Sequence, residues 1–239
     1  MVAAHVRRGL VAGLLAGLVA ALFALVVAQP QMDAAIAWEE AVADHDHHEE
    51  ETFSRPVQKA GMVGGMALAG LAVGALFGVA AAWAVGRVNG DDWQRSLKLG
   101  AALVGALVLL PALQYPPNPP GVGDPDAMGM RSVLYLGLAG FGLLLAVAAW
   151  AGARELAATD LPRPTRQLIV GAGVLVAVAA VLLVLPEAGP ADAFPADLLW
   201  SFRLSSIGTQ LVLHGGTAVA FGVLSARTAR RREQVAAPA

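Results

Sequence analysis

Gly9-Leu10-Val11-Ala12-Gly13-Leu14-Leu15-Ala16-Gly17-Leu18-Val19-Ala20-Ala21-Leu22-Phe23-Ala24-Leu25-Val26-Val27-Ala28 is a run of twenty residues without a charge. Coiled as an α-helix at about 1.5 Å per residue it spans about 30 Å, the thickness of a bilayer's hydrocarbon core. Arg7 and Arg8 stand ahead of it and Pro30 follows it, so the pattern predicts a first membrane helix that Pro30 ends. Val26-Val27-Ala28 also resembles the small-residue site at which a signal peptide is cut. A run of this length is long for such a peptide, and a retained span is the expectation.

Five more apolar runs follow: Gly61 to Gly86, Leu99 to Tyr115 with Pro111 near its far end, Ser132 to Gly152, Leu168 to Leu185, and Leu204 to Ala226. The chain of 239 residues is 57% hydrophobic and 14% charged, against about 25% charged in a soluble domain. The expected fold is an all-α integral membrane protein, a bundle of six transmembrane helices arranged as three outward hairpins. One membrane domain covers 1–239. It carries an outer loop over 29–60, a Pro-rich outer loop over 114–130 and a basic cytoplasmic tail over 227–239. With no cysteine in the chain, disulfides and thiolate chemistry are excluded. Short basic clusters between long uncharged runs argue against nucleic-acid binding.

Orientation follows from the basic residues. Arg7, Arg8, Arg87, Arg95, Lys98, Arg154, Arg163, Arg166, Arg227, Arg230, Arg231 and Arg232 fall on one side, twelve of the sixteen, and Arg55, Lys59, Arg131 and Arg203 on the other. Both termini are therefore expected in the cytoplasm. Lys59, Arg131 and Arg203 recur 72 residues apart, each where a descending helix begins. A worn threefold hairpin repeat would produce this, and so would ordinary interfacial punctuation. Gly9, Gly13 and Gly17, and again Gly70, Gly74 and Gly78, form small-residue stripes along which helix backbones approach closely. Nothing in the sequence says what either stripe faces.

The polar interval after the first helix holds Asp44-His45-Asp46-His47-His48-Glu49-Glu50-Glu51. Imidazole and carboxylate are the ligands that divalent first-row metals take when no thiolate is offered. Extended, His45 and His47 share one face; coiled, Asp44, His47, His48 and Glu51 share one. The competing reading is a solvated acidic loop. Ahead of it, Asp33 to Ala43 reads as a short surface helix that rests Ile36, Trp38 and Val42 on the membrane. His214, at the middle of the last span with Gln210 and Thr217 a turn away on either side, is the second candidate ligand. An ionisable residue at membrane depth is a functional candidate by default; the alternative is a neutral imidazole bonding across helices. In the Pro-rich segment Tyr115-Pro116-Pro117-Asn118-Pro119-Pro120-Gly121, Asp124 and Asp126 follow as turn residues or oxygen ligands. No P-loop, His-Glu-x-x-His or Gly-x-Ser-x-Gly pattern occurs, so neither ATP binding through a P-loop nor hydrolase chemistry is indicated. An enzyme is not expected.

These residues together resemble the predicted cobalt transporter subunit family of the CbtA type. The resemblance rests on the Arg-flanked first helix and the loop Asp44 to Glu51. It also rests on Leu110-Pro111-Ala112-Leu113 leading into Tyr115 to Gly121, on Gly129 to Arg131, and on Phe202-Arg203-Leu204-Ser205-Ser206. It covers essentially the whole length. It implies uptake of cobalt linked to cobalamin synthesis and a small single-span partner subunit with its own His-rich tail. The resulting expectation is a multi-pass protein of a bacterial inner membrane, possessing no permanently bound cofactor. Its substrate is a divalent ion, captured at Asp44, His45, Asp46, His47, His48, Glu49, Glu50 and Glu51 and passed near His214, a role that His214 takes from its depth in the last span and not from the resemblance. A homo-oligomer is compatible with it. The rival expectation is a metal-sensing or assembly subunit with no transport of its own.

Overall fold

The computed structural model describes residues 2–42, 53–120, 122–123, 128–187 and 194–236. Six helices among them are long and apolar enough to cross a membrane. We label them α1 (Val2–Val42), α2 (Arg55–Ala84), α3 (Asp92–Gln114), α4 (Met128–Ala157), α5 (Arg163–Val184) and α6 (Ala196–Ala236). The described residues contain no strand. Each helix begins before the uncharged run that announced it, because polar residues ahead of the run join the same coil, whereas α2, α3 and α5 end one or two residues short of the expected Gly86, Tyr115 and Leu185.

The largest departure is at Pro30. It does not end α1; the helix runs through it to Val42, and of the separate surface helix expected over Asp33 to Ala43 the described part, Asp33 to Val42, is the end of α1. A proline inside a helix removes one N–H and presses its ring on the carbonyl of the residue four before it. A π turn over Ala24–Ala28 absorbs the conflict: the Gln29 N–H bonds the Ala24 carbonyl, five residues back. In α3 the same device precedes Pro111, with a π turn over Gly105–Leu109 and the Leu110 N–H bonded to the Gly105 carbonyl. Leu107 is the residue whose carbonyl Pro111 cannot serve. The Tyr135 hydroxyl of α4 donates to that carbonyl at 3.1 Å, so the missing donor comes from a neighbouring helix.

The chain divides into two compact units. The first holds α1, α2, the start of α3 and α6; the second holds the rest of α3 with α4 and α5. In the first unit the two glycine stripes face each other. A Cβ placed on Gly9, Gly13 or Gly17 would overlap the carbonyl oxygens of Gly74, Gly70 and Met66 in turn, so α1 and α2 run antiparallel with backbones in contact. The buried residues of the α-helical start of α1 are all small: Gly9, Ala12, Gly13, Ala16, Gly17, Ala20 and Ala21. Its large side chains, such as Val11, Leu15, Leu18 and Leu22, point outward. Lipid tails are as apolar as leucine, so burying leucine gives no drive to associate, whereas close backbone contact does. On another side α6 meets α1, with Gly216 beside Ala16 and Gly208 beside the Phe23 ring. The start of α3 is joined to α6 by the buried Ser96 hydroxyl, which donates to the Ala218 carbonyl at 2.6 Å.

The second unit packs around Leu110, Tyr115 and Leu138, with Val178, Val181 and Leu182 of α5 laid against them. Tyr115 donates to the Pro186 carbonyl at 2.9 Å, and Gln114 to the same carbonyl at 3.1 Å. Helix α5 has no buried residue.

Candidate metal-handling site

The cluster Asp44, His45, Asp46, His47, His48, Glu49, Glu50 and Glu51 lies outside the described residues, as do Asp124 and Asp126. What the structure describes is the two helices that flank it in the chain. Helix α1 leads into it and α2 leads away from it, and the two helices are joined to each other by charge. The Asp33 carboxylate of α1 is paired with the Arg55 guanidinium and with the Lys59 ammonium, the latter at 3.1 Å. Arg55 also donates to Gln58 Oε1 at 2.6 Å, and Gln58 Nε2 to the Phe53 carbonyl at 2.8 Å. These groups border a cleft of about 300 Å³ lined by Asp33, Ile36, Ala37, Glu40, Arg55 and Lys59. Deeper along the same two helices, Gln29 Nε2 lies 3.2 Å from Met62 Sδ.

Helix α1 is braced on another side too. Trp38 meets Phe194 edge to face, ring centroids 4.7 Å apart. Arg203, in the third turn of α6, donates to Asn118 Oδ1 at 2.8 Å, which ties one residue of the Pro-rich segment to that helix. Arg55 and Lys59 entered the sequence reading only as bases marking a membrane face, and their pairing with Asp33 was not expected. Three acids (Asp33, Glu39 and Glu40) precede the cluster and two bases (Arg55 and Lys59) follow it, and the sequence does not say which acid the bases meet.

His214 is half-buried in α6, its Nδ1 3.0 Å from the Gln210 backbone carbonyl. The expected polar stripe of Gln210, His214 and Thr217 is not one surface. Gln210 is exposed, whereas Thr217 is fully buried and donates to the Leu213 carbonyl at 2.7 Å. Thr209, Ser205 and Thr228 likewise bond to carbonyls of their own helix. Gly216 admits α1 to close approach, whereas Gly215 borders open space. Among the described residues no three His, Asp or Glu side chains lie close enough to hold a metal ion together.

Chemically, α6 offers one imidazole with a ring nitrogen spared by the Gln210 contact. The two flanking helices offer a charge-clamped base for whatever ligands the loop carries. No curated protein and no solved structure matches the chain. A family model described as "Probable cobalt transporter subunit (CbtA)" matches residues 2–226. With six membrane-crossing helices and that match over nearly its full length, the chain belongs to the CbtA family of cobalt transporter subunits, a membrane transport component and not an enzyme.

Proposed function

We propose that this subunit takes up divalent cobalt from outside the cell, capturing the hydrated ion on Asp44 to Glu51 and passing it inward along α6 near His214. The observation that carries it is the family match over residues 2–226. The charge clamp of Asp33 with Arg55 and Lys59 supports it further, since it closes the base of the loop that bears the cluster. The termini lie in the cytoplasm of a bacterial cell, on the side of Arg7, Arg8 and the Arg227 to Arg232 tail. A single-span subunit with a His-rich tail is the partner, and the cobalt serves cobalamin synthesis. Without a P-loop, a gradient, the membrane potential or another subunit drives the ion. A divalent ion falling through roughly 100 mV gains about 4.6 kcal/mol, twice the value per elementary charge.

The experiment is radioactive cobalt uptake by cells expressing the chain with and without a single-span partner. Replacing His45, His47 and His48 together by Ala raises the half-saturation concentration more than it lowers the maximal rate, because capture is a binding step. Imidazole must be neutral to ligate and its ordinary pKa is about 6.5, so capture weakens as external pH falls below about 6. Wild-type uptake by the triple variant at limiting cobalt would reduce the loop to a solvated tether. A second reading, a sensing or assembly subunit without flux of its own, is favoured by the way the α6 hydroxyls bond within their own helix. It predicts cobalt uptake that is unchanged when the chain is removed.

A further inference from the structure

A cleft of about 730 Å³ lies where the apolar parts of α3 and α6 give out, lined by Asp91, Asp92, Trp93, Arg95, Arg227 and Arg230 among others. Its acids are already engaged. Asp91 caps the start of α3, its carboxylate accepting the Gln94 N–H at 2.7 Å. Asp92 is paired with Arg95, which also donates to the Gly90 carbonyl at 2.7 Å. Arg227 and Arg230 stand one turn apart on α6, so they share a face. Neither has an ion-pair partner among the described residues. Trp93 is seated against the backbone of Gly222, an aromatic at the depth where indoles mark the membrane surface.

Two guanidiniums without an ion-pair partner among the described residues, on one wall of an open cleft at the end of the apolar stretch of α6, are suited to a phosphate. Each presents a planar fork of donors that matches phosphate oxygens, and basic pockets between membrane helices take anionic headgroups. We propose that this cleft binds a phosphate group, carried by an anionic phospholipid of the adjoining leaflet or free in solution, between Arg227 and Arg230 of α6 and the capped start of α3. The cleft uses none of the residues assigned to cobalt capture or passage.

The test uses the full chain, purified in detergent, stripped of lipid and mixed with phosphatidylcholine or phosphatidylglycerol, with bound lipid counted by native mass spectrometry. Wild type is expected to retain phosphatidylglycerol in preference to phosphatidylcholine. Arg227→Gln with Arg230→Gln should weaken that retention about thirty-fold, each basic residue near an anionic surface being worth roughly a fivefold change. Arg7→Gln with Arg8→Gln, which removes two cations that do not line the cleft, should leave most of it. Inorganic phosphate is titrated in a second arm. Phosphate binding that Arg227→Gln with Arg230→Gln removes, without lipid preference, assigns the cleft to a soluble phosphate. Displacement of phosphatidylglycerol by phosphate assigns it to both. Equal losses in the two double variants, or no discrimination between lipids and no phosphate binding, would overturn the proposal. A melting curve for each variant establishes that it is folded, and Arg227→Lys with Arg230→Lys, which keeps charge without the fork, gives an intermediate affinity.

Discussion

Gly13→Ala is the sharpest test of the first unit. A Cβ at this position would overlap the Gly70 carbonyl oxygen and stand 2.7 Å from the Gly74 Cα, where ordinary contact begins at about 3.4 Å. The opposing atoms belong to backbone, so no side chain can turn aside and the helices must part by about 1 Å. A gap of about that size forfeits up to half of each contact it opens, along a seam that reaches from Gly9 to Gly17. Overpacking of this kind costs about 1–3 kcal/mol, and the rigidity of the obstacle places this case toward the upper end. For a chain of this size about 1 kcal/mol moves the melting temperature by roughly 2–4 °C, so a fall of about 5–10 °C is expected. Gly65→Ala is the matched control, because a Cβ there meets nothing within 4 Å, and it should be neutral or slightly stabilising. Gly13→Ala with Gly74→Ala should cost less than the sum of the two, since either change alone already opens the same contact. The assay is thermal unfolding in detergent, followed by tryptophan fluorescence. If Gly13→Ala melts with Gly65→Ala, the two stripes do not face each other and the packing of α1 on α2 is wrong.

Reporter fusions placed at Ala239 and within Ala41 to Glu51 should give opposite signals; matching signals would contradict an even number of spans. Asp33→Asn removes the shared partner of Arg55 and Lys59 and should raise the half-saturation concentration for cobalt. Because the pair is partly exposed, stability should hardly change, and a large melting shift with unaltered uptake would make the clamp merely structural. His214→Ala should lower the maximal uptake rate per inserted molecule while capture at low cobalt is preserved. An unchanged normalised rate removes His214 from the ion path.

The six spans were legible because only length and absence of charge decide them, and both are written locally. Helix ends were not. Whether Pro30 or Pro111 stops a helix depends on whether a π turn forms, and for Pro111 also on a hydroxyl 28 residues away from the carbonyl it serves. The glycine stripes were visible, but a period of four names a face without naming its partner; the pairing of Gly13 with Gly70 and Gly74 is a tertiary fact. Spacing likewise put Gln210 and Thr217 beside His214, whereas side-chain rotamers decide that Thr217 turns to Leu213 and that the nearest Gln210 group is its carbonyl. The joining of α1 to α2 through Asp33 was missed because spacing does not tell which of Asp33, Glu39 and Glu40 the bases Arg55 and Lys59 will meet.

The facing glycines also set how the protein responds to temperature. Large heat-capacity changes in folding come from apolar surface leaving water. When the α1 stripe closes on the α2 stripe inside a bilayer, the surface that disappears was facing lipid, and most of it is backbone and Cα hydrogen. The association of these two helices should therefore carry almost no heat-capacity change. Its free energy then varies nearly linearly with temperature, with no optimum, and because van der Waals contact between the backbones drives it the association is enthalpic and strengthens on cooling. The glycine seam tightens steadily as the membrane is chilled, unlike a core assembled in water.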